Sequence, residues 1–193
     1  MILTETDPDR LLTALRAILA GKAIASDAEI SERIRITDGG DKAQGARMVA
    51  RAWTDPDYRA LMLADGTRAA EAMDIPMRGL PPLGVLEDTP DQHHLVVCTL
   101  CSCYPRAVLG YPPLWFKSAG YRARAVRDPR GLLAEWGTPL PKSVRLRVVD
   151  STADYRWMVL PLRPAGTEGW DVDRLAAIVT EGDMIGVTIP AIG

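Results

Sequence analysis

Residues 98–103 read Cys-Thr-Leu-Cys-Ser-Cys and hold all three cysteines of the chain. To bring thiols spaced three and then two apart to one point, the backbone must fold back on itself in a tight turn. A single metal ion or a redox centre suits that arrangement, and little else does. Soft sulfur selects zinc, copper(I), iron or cobalt over magnesium or calcium.

Composition narrows the setting of that loop. At 193 residues, 47% hydrophobic and 25% charged, the chain has the make-up of an ordinary globular protein and the length for one domain with an appended arm. A net charge of −2 gives no reason to expect nucleic acid or an acidic membrane. No stretch approaches the roughly 20 apolar residues of a membrane span. Met1–Pro8 has no basic region followed by an apolar run, so no leader is expected. An odd number of cysteines argues against a disulfide framework, which places the chain in a reducing cytoplasm.

The first third reads as helix. Asp9–Lys22 places Leu11, Leu12, Leu15, Ile18 and Leu19 on one stripe. Ser26 to Glu29 has the form of a capping box and opens a second helix. Further helices are expected over about 41–53, 57–63 and 67–73. Residues 75–90 carry four prolines and Gly79 and Gly84, and read as an irregular connector. The expected fold class is therefore α+β: a helical N-terminal arm, residues 1–80, then a compact mixed α/β metal-binding domain, residues 81–193. In that domain, strands are expected over 94–98, 144–149, 156–160 and 185–189, and helices over 119–127, 129–135 and 172–180. Five short amphipathic helices exceed what one small core needs, so the arm is expected to wrap around a partner.

Two metal readings of the loop stand on the residues alone. Structural zinc wants four ligands, and a second Cys-x-x-Cys usually supplies half of them. None is present, so His93 or His94 would have to serve as the fourth. Alternatively, the backbone nitrogens of Ser102 and Cys103, once deprotonated, close small chelate rings with the sulfurs. Three sulfurs and two nitrogens then form a claw with one open position. This needs a strongly polarising trivalent ion, and the open position would be a Lewis-acid site.

The run Val96-Val97-Cys98-Thr99-Leu100-Cys101-Ser102-Cys103-Tyr104-Pro105 resembles the metal-binding loop of nitrile hydratase α subunits. The resemblance extends to Ala52–Pro56, Tyr121–Arg124, Asp128–Arg130, Leu160–Pro164, Gly166–Trp170 and Met184–Val187, and so covers most of the chain from about residue 45 onward. It implies that Cys98, Cys101 and Cys103 are sulfur ligands and that Ser102 and Cys103 also bind through backbone nitrogen. It implies oxidation of Cys101 to a sulfinic acid and of Cys103 to a sulfenic acid. Thr99 stands where the family's cobalt members carry Thr and its iron members Ser, which implies non-corrin Co(III) rather than Fe(III). The implied reaction is hydration of a nitrile to its amide, with the Cys103 sulfenate as nucleophile or general base. It also implies a β-type partner subunit in a hetero-oligomer, whose arginines bond the oxidised cysteines and complete the active site.

One position departs from the family. After Cys103-Tyr104-Pro105 these subunits usually carry Trp, and here stands Arg106. A guanidinium makes a pocket wall more polar and gives it bidentate donors. Two relatives with the same loop are thiocyanate hydrolase and the hydratase of the nucleoside nitrile toyocamycin, and Arg106 fits either an anionic or a hydrogen-bonding substrate. Trp115 and His93 are the other substrate-pocket candidates. The stretch Arg122, Arg124, Arg127, Arg130 has no aromatic platform for nucleic acid and is expected to form interface salt bridges. No serine-hydrolase elbow, P-loop or dinucleotide fingerprint is present. The reading outside catalysis is a structural zinc or redox-sensing module, which would keep its thiols unmodified.

Overall fold

A computed structural model describes residues 7–192. The stretch read for a leader lies mostly outside them. The chain divides between Gly39 and Gly40 into two compact units.

The first unit contains α1 (Pro8–Gly21) and α2 (Asp27–Asp38). Asp7 caps α1 through the Asp9 amide, and the Ser26–Glu29 capping box is present at α2. Arg16 ties the two helices together, reaching Asp27 and Ser31 at 2.6 Å each. No residue of either helix is buried.

The second unit begins with α3 (Lys42–Thr54), α4 (Pro56–Ala64) and α5 (Gly66–Glu71). Asp41 and Gln44 form the capping box of α3, and Pro56 occupies the first turn of α4 behind its cap Asp55. Met48, Val49 and Ala52 of α3 enter the same core as Leu95 and Met184. Gly45 makes this approach possible, since a Cβ there would lie 2.7–2.8 Å from Leu109, Val108 and Met184. These three helices, expected in the arm, share the core of the metal-binding domain. The break between units falls about forty residues before the proline-rich stretch where the seam was expected.

Among the described residues, four strands follow as two parallel pairs. The first, β1 (Leu83–Glu87), pairs with β4 (Arg156–Leu160), and β2 (Gln92–Val97) pairs with β3 (Arg145–Asp150). Parallel pairing needs a long crossover, and the one from β2 to β3 carries the cysteine loop, α6 (Arg106–Leu109), α7 (Leu114–Lys117), α8 (Ala119–Arg127) and α9 (Pro129–Glu135). The chain closes with α10 (Val172–Ala177) and α11 (Glu181–Ile185). No helix among the described residues is long and apolar enough to cross a membrane.

The α+β class stands, with two local corrections. The stretch expected to be irregular contains β1. Its Gly84 lies under the rings of Tyr155 and Trp157, where a Cβ would come within 2.5 Å of both, so the residue that reads as a loop marker is required by strand packing. The strand expected over 185–189 is absent. A Thr180–Asp183 capping box starts a helical turn instead, and Gly186 ends it at φ +80.

Gly186 also lies against β2, where an added Cβ would sit 1.8 Å from the His94 carbonyl oxygen. Gly186→Ala therefore meets both a left-handed backbone and a backbone clash. It is expected to cost more than about 2 kcal/mol in urea denaturation, whereas Gly137→Ala, also at positive φ but with nothing within 4 Å, should cost only about 1 kcal/mol.

Candidate metal centre

The parallel pair β2–β3 delivers the cysteine loop. Val97 is in register with Asp150, and the Ser151 amide donates to the Val97 carbonyl at 2.7 Å. Cys98 therefore begins the loop at the carboxyl ends of two parallel strands, where open α/β sheets place ligand sites. Asp150 then reaches back. Its carboxylate accepts from the Thr99 amide at 3.0 Å and from the Thr99 hydroxyl. On the other side, Arg122 of α8 donates to the Leu100 carbonyl at 3.1 Å. Beneath, the Tyr121 hydroxyl donates to the Val96 carbonyl at 2.6 Å.

Held in this way, the three sulfurs converge to within 4.8 Å of one another. Cys98 Sγ lies 3.5 Å from Cys101 Sγ, which lies 3.2 Å from Cys103 Sγ. The Cys101 amide donates to Cys98 Sγ at 3.3 Å. With metal–sulfur bonds of about 2.3 Å, adjacent sulfurs lie roughly 3.3 Å apart in an octahedron and roughly 3.8 Å apart in a tetrahedron. The observed pairs lie at about these distances, close enough for one ion to be shared by all three. Cys98 and Cys103 are buried, while Cys101 and Ser102 are exposed. Burial pushes the Cys103 thiol up to about 12, and its contacts with Cys101 and Cys98 add to that. Hydrogen bonds from Cys103 and Cys98 lower the Cys101 thiol. Three sulfurs this close are poor company for one another as thiolates, and a cation between them removes the conflict.

Arg156, at the start of β4, is the site residue that sequence reasoning missed. Its guanidinium acts electrostatically on Cys103, and its buried Nη1 has no hydrogen-bond partner among the described residues. A buried guanidinium nitrogen without an acceptor is uncommon in a folded chain, and this one belongs to a residue whose charge bears on Cys103. Only a position 53 residues beyond Cys103 in the chain would have signalled it, and nothing local does.

The remaining candidates are placed as follows. Arg106, half-buried three residues after Cys103, stacks over the Tyr111 ring at 3.9 Å. Trp115 packs edge-on against Phe116, Tyr121 and Trp136, forming an aromatic wall behind the loop. The basic stretch expected at an interface is largely engaged within the chain. Arg122 bonds the loop, Arg124 pairs with Glu135, and Arg130 donates to the Leu140, Pro141 and Val144 carbonyls.

His93 and His94 do not join the sulfurs, and the fourth zinc ligand expected from them is not at the site. Both Nδ1 atoms bond the buried Asp88 carboxylate at 2.9 Å. His93 Nε2 lies 2.8 Å from the Gly186 carbonyl oxygen. Both nitrogens of His93 thus face acceptors, so both carry protons and the ring is an imidazolium with nothing left for a substrate. His94 Nε2 meets the Gln92 amide nitrogen at 3.0 Å and is therefore the acceptor of a neutral ring. Burial opposes the charge on His93, but the Asp88 carboxylate outweighs it and raises the ring above its ordinary value of 6.5. Burial likewise works against Asp88, and the two histidines outweigh it and hold the carboxyl below 3.8. The raised His93 contributes stability fully present below pH 6.5 and lost as pH rises through its folded value. The depressed Asp88 contributes stability present above 3.8 and lost as pH falls. Asp88→Asn should cost about 3 kcal/mol near pH 6. It should also flatten the fall in stability expected for the wild type as pH rises above about 6.5, as read by urea denaturation at each pH.

Residues 6–188 match the family described as nitrile hydratase, alpha chain. The alpha subunit of the low-molecular-weight cobalt-containing nitrile hydratase of Rhodococcus rhodochrous is 46% identical over 178 residues, covering 92% of this chain and 86% of that one. A recombinant thiocyanate hydrolase with partially modified cobalt centres superposes with a TM-score of 0.86 at 41% identity, covering 97% of this chain and 92% of the other. An Fe-type nitrile hydratase from Comamonas testosteroni Ni1, a double mutant, superposes with a TM-score of 0.79 at 37% identity, covering 96% and 92%.

Proposed function

The chain belongs to the nitrile hydratase alpha-chain family, and from that membership we propose that it is the metal-binding subunit of a cobalt enzyme hydrating a nitrile to its amide. The observation that carries the reading is the convergence of Cys98, Cys101 and Cys103 within 4.8 Å of one another in a loop pinned by Asp150 and Arg122. A structural zinc site would need a fourth ligand, and no His, Asp or Glu joins the three sulfurs among the described residues.

In this reading the three sulfurs and the backbone nitrogens of Ser102 and Cys103 hold non-corrin Co(III), chosen over Fe(III) because Thr99 follows Cys98. The cobalt, when bound, supplies a Lewis acid that polarises the nitrile or activates water. Cys101 is carried as sulfinate and Cys103 as sulfenate, and the Cys103 sulfenate oxygen acts as nucleophile or base on the water–nitrile pair. Arg156, whose charge acts on Cys103 and whose buried Nη1 is otherwise unpartnered, supports a role in stabilising the negative charge of that oxygen. A β-type subunit covers the loop in a hetero-oligomer. Support comes from the relatives, which are themselves subunits, and from Leu100, which is 87% exposed at the tip of the loop. The setting is the cytoplasm.

Arg106 favours a polar nitrile, such as a nucleoside nitrile, over an aliphatic one. The same residue, together with the likeness to thiocyanate hydrolase, supports thiocyanate as a second substrate reading.

The test is elemental analysis with intact-mass spectrometry of the chain purified with cobalt and its partner. The expected result is one cobalt per chain and the oxygen mass of one sulfinate and one sulfenate within 98–103. Zinc with three unmodified thiols would overturn it. Cys98→Ser, Cys101→Ser and Cys103→Ser should each retain less than about a tenth of the wild-type cobalt. Arg106→Trp should keep its cobalt and lose about tenfold in kcat/KM on thiocyanate or a polar nitrile, relative to an aliphatic one.

A further inference from the structure

An open cleft of about 450 Å³ lies behind the cysteine loop. Trp115, Trp136 and Val187 form its apolar wall, and Thr180, Glu181 and Thr188 its polar one. The threonine hydroxyls are already committed, since both donate to Asp183 at 2.8 and 2.5 Å. Glu181 is the polar group that remains. One of its oxygens accepts from the Tyr104 hydroxyl at 2.6 Å, which fixes the carboxylate in place without neutralising it. Asp183, a second carboxylate, is buried directly behind in the same turn. Among the described residues, no lysine, arginine or histidine forms an ion pair with either.

Two indoles beside an unpaired carboxylate are matched to one kind of ligand. A guanidinium or ammonium gains from the rings and from the charge together, a neutral group gains from the rings alone, and an anion is repelled by the carboxylate. The chain repeatedly seats its own guanidinium groups on aromatic rings: Arg51 lies 4.3 Å over Tyr58, Arg106 3.9 Å over Tyr111 and Arg174 3.7 Å over Trp170. At the cleft the rings and the carboxylate are present, and none of the described residues supplies the cation. Trp136 stands at the rim, 38% exposed, where a side chain from a facing surface would meet it.

We propose that this cleft receives an arginine or lysine side chain of the partner subunit. Only the source of the cation rests on the subunit reading; its chemistry rests on the cleft. The site also has a route to the metal loop, because Glu181 is bonded to Tyr104, the residue that follows Cys103. A cation docked on Glu181 thus bears on the backbone that carries the last sulfur.

The test uses the full chain and a defined probe, Nα-acetyl-arginine N-methylamide, with its citrulline counterpart as the neutral isostere. Indole ¹⁵N resonances of Trp115 and Trp136 are followed by NMR. Saturable shifts are expected with the arginine probe and at least fivefold weaker binding with citrulline. Glu181→Gln and Trp136→Ala, each checked for a native spectrum, should weaken the arginine probe at least fivefold; two variants keep the test intact if one fails to fold. Equal response to both probes, or no saturable response, overturns the cation site. In the assembled complex the arginine probe should no longer shift these indoles. If it binds there as in the free chain, the cleft serves a free cation and the assignment to the partner falls. If no partner assembles at all, the subunit reading fails while the probe titration still decides the cleft.

Discussion

Sulfurs 3.2 and 3.5 Å apart would repel one another once ionised, and the surrounding fold fixes the turn that brings them together. Every segment bordering the loop contributes a bond that a relaxed turn would not need. Asp150 holds the first residue after Cys98, Arg122 holds the carbonyl at the tip, and Tyr121 holds the strand that leads in. The parallel pairing of β2 with β3 gives these bonds a fixed base, because the two strands end together at the loop. A preorganised site of this kind accepts a metal with little further ordering of the chain. The same rigidity explains why so much of the loop's support is aromatic or charged and already committed.

Behind that base lies a second hub, the Asp88 carboxylate. It joins the end of β1 to both histidines of β2, and through His93 it reaches the carbonyl of Gly186 at the end of α11. The histidines therefore act on the metal loop from a distance, by fixing the strand that carries it. Their chemistry is that of a buried ion pair and its neutral neighbour. Removing one member would strand a charge in the core, so the pair and its pocket stand or fall together.

Legibility in the sequence followed the range of the interactions. Elements with local start and stop chemistry could be read closely. The Ser26–Glu29 capping box, Asp128 before Pro129 and the run 156–160 all lie where local pattern places them. The cysteine spacing gave the convergence of the three sulfurs for the same reason, since they lie within six residues. What could not be read is held by long-range contact. β1 exists because residues 83–87 meet a strand more than seventy positions later. Asp150, Arg122 and Arg156 act on loop residues 22 or more positions away, with no local motif. The 185–189 run misled because an apolar stretch is compatible with a buried strand or a buried turn. There the Thr180–Asp183 cap and Gly186 decided between them.

The loop is graded in depth. Cys101 faces solvent while Cys98 and Cys103 lie beneath it. A reagent diffusing in from water therefore meets the sulfurs in a fixed succession, although they are chemically alike and only residues apart. Depth sets access: the middle cysteine is the one open to water, and its neighbours are shielded for as long as the loop keeps its shape. A chain with one kind of nucleophile in this way sets one of its thiols apart from the other two by burial alone.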